Sequence, residues 1–137
     1  MRIAIFTLVS SSLLTLVITL AGCGATMSRE EGLPQLRAAI ERDISSPEES
    51  QENSRVVEAI LDNTLLHGMF RAEVEEAIGR GDQCSRHPRC QEHGYDGNDW
   101  FYTVGQMGEG RTGALPILIV GFDTSGRVTK TWNLRTH

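Results

Sequence analysis

Cys84, His87, Cys90 and His93 recur at intervals of three residues. Cysteine sulfur and imidazole nitrogen together form a donor set that tetrahedral zinc accepts. The same two cysteines can instead close a short loop as a disulfide, worth on the order of 2 kcal/mol through chain entropy. The run lacks the paired C-x-x-C knuckle of common zinc sites. A Cys84–Cys90 disulfide is therefore the expected state, with zinc on Cys84, His87, Cys90 and His93 as the alternative. Gly108-Glu109-Gly110-Arg111-Thr112-Gly113 matches G-x-G-x-x-G letter for letter. That motif works only with a helix N-terminus behind it to meet a pyrophosphate. Pro116 and a β-rich run follow instead, so the stretch reads as a flexible hairpin loop. His67 and His137 stand alone, and Glu75 and Glu76, as helix neighbours in sequence, do not face each other. No nucleophile–base pairing emerges, so no catalytic residue is assigned and no cofactor is implied.

The third cysteine has a different setting. Arg2 precedes an uncharged run from Ile3 to Gly22, which ends in Leu20-Ala21-Gly22-Cys23. This ending resembles the lipobox of bacterial lipoproteins, in which a leader is removed and the cysteine is acylated. An uncleaved membrane-spanning helix is the alternative reading of so long an apolar run. The lipobox resemblance implies three segments: a cleaved signal peptide at 1–22, a lipidated Cys23 with a tether to residue 32, and a single periplasmic domain at 33–137. Several acyl chains on one residue give stable membrane attachment, whereas one gives only reversible binding. Gly24 stands where an inner-membrane retention signal would place Asp, so the implied location is the outer membrane. Cys84 and Cys90 would then fold in an oxidising compartment, which favours the disulfide.

Loss of residues 1–22 leaves 115 residues, one domain's worth, and removes only Arg2 from the charged set. The remaining 12 basic and 18 acidic side chains disfavour nucleic-acid binding, which needs clustered Lys and Arg. They equally disfavour a polybasic grip on anionic lipid.

Apolar spacing predicts a helix from Leu33 to Ile44, through Leu36, Ala39 and Ile40. Ser46-Pro47-Glu48-Glu49 reads as the start of a second, with Ser46 as N-cap, Pro47 in the first turn and Glu49 closing a capping box. Its apolar side arrives with Val56, Val57, Ile60 and Leu61. A third helix runs from Phe70 to Gly79, striped by Val74, Ala77 and Ile78. From about 80 to 99 the chain reads as a Cys-containing loop. The period then shifts to two: strands are expected at Trp100–Val104, Leu115–Phe122 and Arg127–Leu134. Asp123-Thr124-Ser125-Gly126 makes the tight turn between the last two. On the final strand, alternation places Val128, Trp132 and Leu134 on one face, with Lys130 among them, and Arg127, Thr129, Thr131 and Asn133 on a wet one. The fold class is α+β, with two to three helices on one face of a three-stranded antiparallel meander.

Gly68-Met69 with Glu73-Val74 and Ile78-Gly79, Asp99-Trp100-Phe101-Tyr102, and Val120-Gly121-Phe122-Asp123 with Gly126-Arg127-Val128 together resemble the SmpA/OmlA family. These are small outer-membrane lipoproteins that include the BamE-like accessory of β-barrel assembly. The resemblance spans roughly residues 56–132 and implies a non-catalytic protein acting by protein–protein contact in envelope assembly. A periplasmic metal- or small-ligand-binding lipoprotein, or an inhibitor or regulator of a secreted enzyme, are the alternatives. The middle strand is apolar on both faces: Leu118, Val120 and Phe122 point one way, Leu115, Ile117 and Ile119 the other. A sheet covered by helices on one side needs only one such face. The second is either covered by the tether, the first helix or the Cys loop, or it is a partner-binding face made of Leu115, Ile117 and Ile119.

Overall fold

The computed structural model describes residues 26–109, 111 and 113–134. The expected signal peptide at 1–22, Cys23, His137, and Gly110 and Thr112 of the glycine-rich loop lie outside the described residues. Helix α1 (Arg29–Glu41) begins four residues before the expected Leu33. Ser28 accepts from the Glu31 amide, and the Glu31 carboxylate accepts from the Ser28 amide at 3.1 Å. This reciprocal capping box satisfies two amides that the helix leaves without partners. Part of the expected tether is thus folded. Pro34 sits within α1 on its exposed side, where the carbonyl it leaves without an intrahelical donor can meet water. Strand β1 (Asp43–Ile44) follows, then helix α2 (Pro47–Asp62), whose Ser46/Glu49 box forms as the sequence predicts.

A turn over residues 63–69 leads to helix α3 (Arg71–Ile78), which ends at Gly79 with φ +85°, a conformation glycine adopts without steric cost. Within the expected loop at 80–99 lie strand β2 (Asp82–Gln83), one 3-10 turn (Cys84–Arg86) and helix α4 (Pro88–Glu92). Strands β3 (Trp100–Thr103), β4 (Gln106–Met107), β5 (Ile117–Phe122) and β6 (Val128–Leu134) complete the described chain.

The main sheet runs β2-β3-β5-β6, antiparallel throughout. The expected three-stranded meander is therefore widened by β2, a polar two-residue strand without an apolar alternation to announce it. β1 and β4 form a separate parallel pair that ties the α1–α2 turn to the far end of the sheet, where Gln106 also donates to the Arg42 carbonyl. Helices α1, α2 and α3 pack on one face. Leu36, Ala39, Val57, Ile60, Val74 and Ile78 meet Trp100, Tyr102, Leu118, Val120 and Val128 in the larger core. Asn53 is buried there, donating to the Ala39 and Val104 carbonyls at 2.9 and 3.2 Å.

The last strand departs from simple alternation. Phe122 pairs with Val128 but Gly121 pairs with Lys130, so Thr129 is an extra residue in a bulge. One inserted residue inverts the faces that follow it. Val128 therefore joins the helix-side core, while Trp132 and Leu134 pair with Ile119 and Ile117 on the opposite face. The expected grouping of Val128 with Trp132 and Leu134 is corrected accordingly. Thr131 and Asn133, expected on a wet face, pair instead with the buried Val120 and Leu118.

Candidate functional site

The second face of the sheet carries a smaller core of Cys84, Cys90, Tyr95, Phe101 and Ile119, with Ile117 at its margin. Pairing of Asp82 with Phe101 and Gln83 with Trp100 fixes the entry to the Cys loop, and the Cys84 amide donates to the Asp99 carbonyl at 2.9 Å. Pro88 opens α4, supplying the φ a first helical turn needs. This places Cys90 with its Cα 5.5 Å from that of Cys84, and the two form a disulfide. Both cysteines are fully buried.

The exit of the loop is fixed by the buried Asp99. One carboxylate oxygen accepts from the Asp96 amide at 2.9 Å, the other from the Phe122 amide at 2.8 Å. Tyr95 lies beneath Lys130, whose ammonium sits 4.3 Å from the ring centroid and donates to the Gly94 carbonyl. Gly121 makes this approach feasible: a Cβ there would stand 2.6 Å from Lys130 Cγ and 3.0 Å from Tyr95 Cε1. Burial, reinforced by the nearby Asp99 carboxylate, pushes the Tyr95 phenol up to about 12. Burial likewise raises the phenol of Tyr102 on the helix side, which donates to the Gly79 carbonyl at 2.8 Å.

The two histidines of the spaced quartet go separate ways. His87 stacks on Phe101, with centroids 3.8 Å apart and planes within 10°. His93 stacks on Trp132 at 5.0 Å. With the sulfurs bonded to each other and the imidazoles on different rings, Cys84, His87, Cys90 and His93 do not converge on a common point. Among the described residues, no group of three or more His, Cys, Asp or Glu side chains is placed to hold a metal ion.

The face expected from Leu115, Ile117 and Ile119 is divided. Ile119 is fully buried under the Cys loop, whereas Ile117 and Leu115 are half-buried. Trp132, 46% exposed, is a neighbour on this face, opposite to the side that simple alternation from Val128 assigns it. Trp132, paired with Ile119, and Ile117, two residues along on the same face, thus form an apolar margin beside the loop. Phe70 is the other large hydrophobic side chain exposed among the described residues, at 42%. Simple alternation assigns Trp132 to the wrong face; the isolated Gly121 within an otherwise apolar strand is the signal for a bulge that the sequence carries.

Two further features lie away from this margin. A cavity of about 370 Å³ lies between the start of α2 and the glycine-rich loop, lined by Ile44, Ser46, Ser50, Met107, Arg111 and Ala114 among others. Arg111 donates to the Ile44 carbonyl and Ser50 to the Ala114 carbonyl, which uses both as struts between these segments. The hairpin turn is held by Asp123, which accepts from Ser125 and from the Arg127 amide. These bonds, that from the Ser125 hydroxyl foremost, hold its carboxyl below the usual range. No helix among the described residues is long and apolar enough to cross a membrane. Comparison with family models, with curated proteins and with solved structures finds no significant match for this chain.

Proposed function

We propose that this chain is a bacterial lipoprotein acylated at Cys23, held in the outer membrane with its domain in the periplasm. It acts without catalysis, by binding another envelope protein during assembly of outer-membrane β-barrel proteins. The lipobox-like Leu20-Ala21-Gly22-Cys23 supports the anchor, and the SmpA/OmlA resemblance of the strand and hairpin phrases supports the assembly role. A buried Cys84–Cys90 disulfide is in keeping with folding in an oxidising compartment.

The observation that carries the contact reading is the apolar margin of Trp132 and Ile117, with Leu115 just beyond the end of β5 as the third residue of the expected face. A Trp nearly half exposed beside aliphatic side chains, on a rigid strand, is the type of residue that dominates binding energy at protein interfaces. The test is affinity co-purification of the acylated protein from detergent-solubilised envelopes after gentle cross-linking. A barrel-assembly component should co-purify with the unsubstituted protein. Trp132→Ala should lower its recovery by an order of magnitude or more, the effect of losing about 2 kcal/mol at a hot spot. Capture of no such component would refute the assembly role. Labelled palmitate that is not incorporated, or is retained in Cys23→Ser, would refute the anchor.

A further inference from the structure

We infer that the end of the domain bearing Phe70 lies against the phospholipid surface that holds the anchor; this rests on acylation of Cys23. Four residue steps separate Cys23 from Met27, which covalent geometry limits to about 14 Å. At Met27 the chain is already part of the domain. Its amide donates to Asn63 Oδ1 at 3.2 Å, its side chain packs on the larger core, and the Ser28/Glu31 box follows. A domain of this size is roughly 30 Å across. So short a connection confines the start of α1 to the membrane side and keeps the β1–β4 end away from it.

The start of α1 leads directly to Phe70. The Arg29 guanidinium donates to the carbonyls of Leu65 and His67. The Gly68 amide bonds to the Val128 carbonyl, and the Arg71 amide bonds to the Gly126 carbonyl. Phe70 itself bridges to Arg127, whose guanidinium lies 4.2 Å from its ring centroid. Phe70 also occupies the N-cap of α3, where a hydroxyl or carboxamide would satisfy a helix amide and Phe offers no acceptor. An exposed aromatic ring at that position gives up local stability. Contact with the boundary between headgroups and acyl chains, typically 5–10 Å deep for an interfacial apolar face, makes use of such a ring. Arg127 beside it is placed to meet phosphate. Glu30, Glu31, Asp62 and Glu73 flank the same end, so apolar contact and the short connection, rather than net charge, hold it there.

The experiment uses the acylated protein in vesicles of phosphatidylethanolamine and phosphatidylglycerol, with and without nitroxide-labelled lipid. In a Trp132→Phe background, Phe70→Trp reports the near end and Gln106→Trp the far end; the buried Trp100 contributes equally to both. Flotation is scored first, and failure to float with vesicles refutes anchoring and this inference together. Among floating proteins, nitroxide lipid should diminish emission from the Phe70→Trp probe and leave the Gln106→Trp probe unchanged. Equal quenching of both, or of neither, overturns the inference while leaving the anchor intact. Hydrogen exchange on the unsubstituted protein provides the second reading. Vesicles should slow exchange at residues 66–71 and not at 105–107, and unchanged exchange at 66–71 overturns it as well.

Discussion

Replacing both Cys84 and Cys90 by Ala tests how the second face of the sheet is held. For a cross-link spanning six residues, loss of the loop-closure constraint alone costs about 2 kcal/mol at 25 °C. If the loop also detached, Phe101 and Ile119 would be uncovered, adding about 1.5–3 kcal/mol for each. The loop has other fastenings: the β2–β3 pairing, the two bonds to Asp99, the His87–Phe101 stack, and the Lys130 bond to Gly94. The expected loss is therefore near the chain-entropy figure of about 2 kcal/mol, with the loop still seated. Urea unfolding of residues 23–137 carrying Cys23→Ser, followed by tryptophan fluorescence, measures it. A loss below about 0.5 kcal/mol would refute the disulfide as a fastening for this face. A loss above about 5 kcal/mol would show that the other contacts cannot hold the loop, overturning the account of a multiply fastened cover.

Gly121→Val should destabilise by about 1–3 kcal/mol in the same assay, because its side chain would displace Lys130 and Tyr95. Asn53→Ala should cost about 2 kcal/mol, since the Ala39 and Val104 carbonyls lose a buried donor. Phe70→Ser should stabilise the isolated domain by up to about 1 kcal/mol by supplying the missing cap to α3; a clear loss of stability would show that the ring is needed for folding. The chain's two tyrosines should resist alkali. The Tyr95 phenol, raised to about 12, contributes stability that is fully present below its unfolded value near 10 and is lost as pH rises through 12. Absorbance of phenolate at 295 nm should accordingly lag behind that of the unfolded chain; titration of both tyrosines at pH 10 in the folded domain would contradict their burial.

The elements that announced themselves did so through local chemistry. Ser46, Pro47 and Glu49 state the start of α2 in three residues, and Asp123 to Gly126 state the hairpin. The same grammar was present at Ser28 and Glu31, but the small polar residues before them disguised it as tether. β2 carries no such statement, because Asp82 and Gln83 join the sheet through backbone groups and the constraint of the neighbouring disulfide. In the site, the cysteine pairing is legible from the spacing of Cys84 and Cys90 and from the compartment that the lipobox resemblance implies. The histidines did not yield to spacing, because their positions depend on which aromatic rings the sheet brings beneath them. The cover over Ile119 was one of the options legible in the doubly apolar β5, but choosing it required the tertiary contact of Tyr95 with Gly121.

The bulge at Thr129 gives the last strand something like a reading frame. If the pairing ran past Gly121 without the bulge, Thr129 would stand opposite Gly121 and Trp132 opposite Leu118, directing the indole toward the helices while Thr131 faced outward. The surface character of this margin is thus set by how the pairing absorbs a residue three positions upstream of the one that displays it. Deleting Thr129 should accordingly straighten the strand and leave the indole outward, because Lys130 would then follow Val128 directly and Trp132 would still stand opposite Ile119.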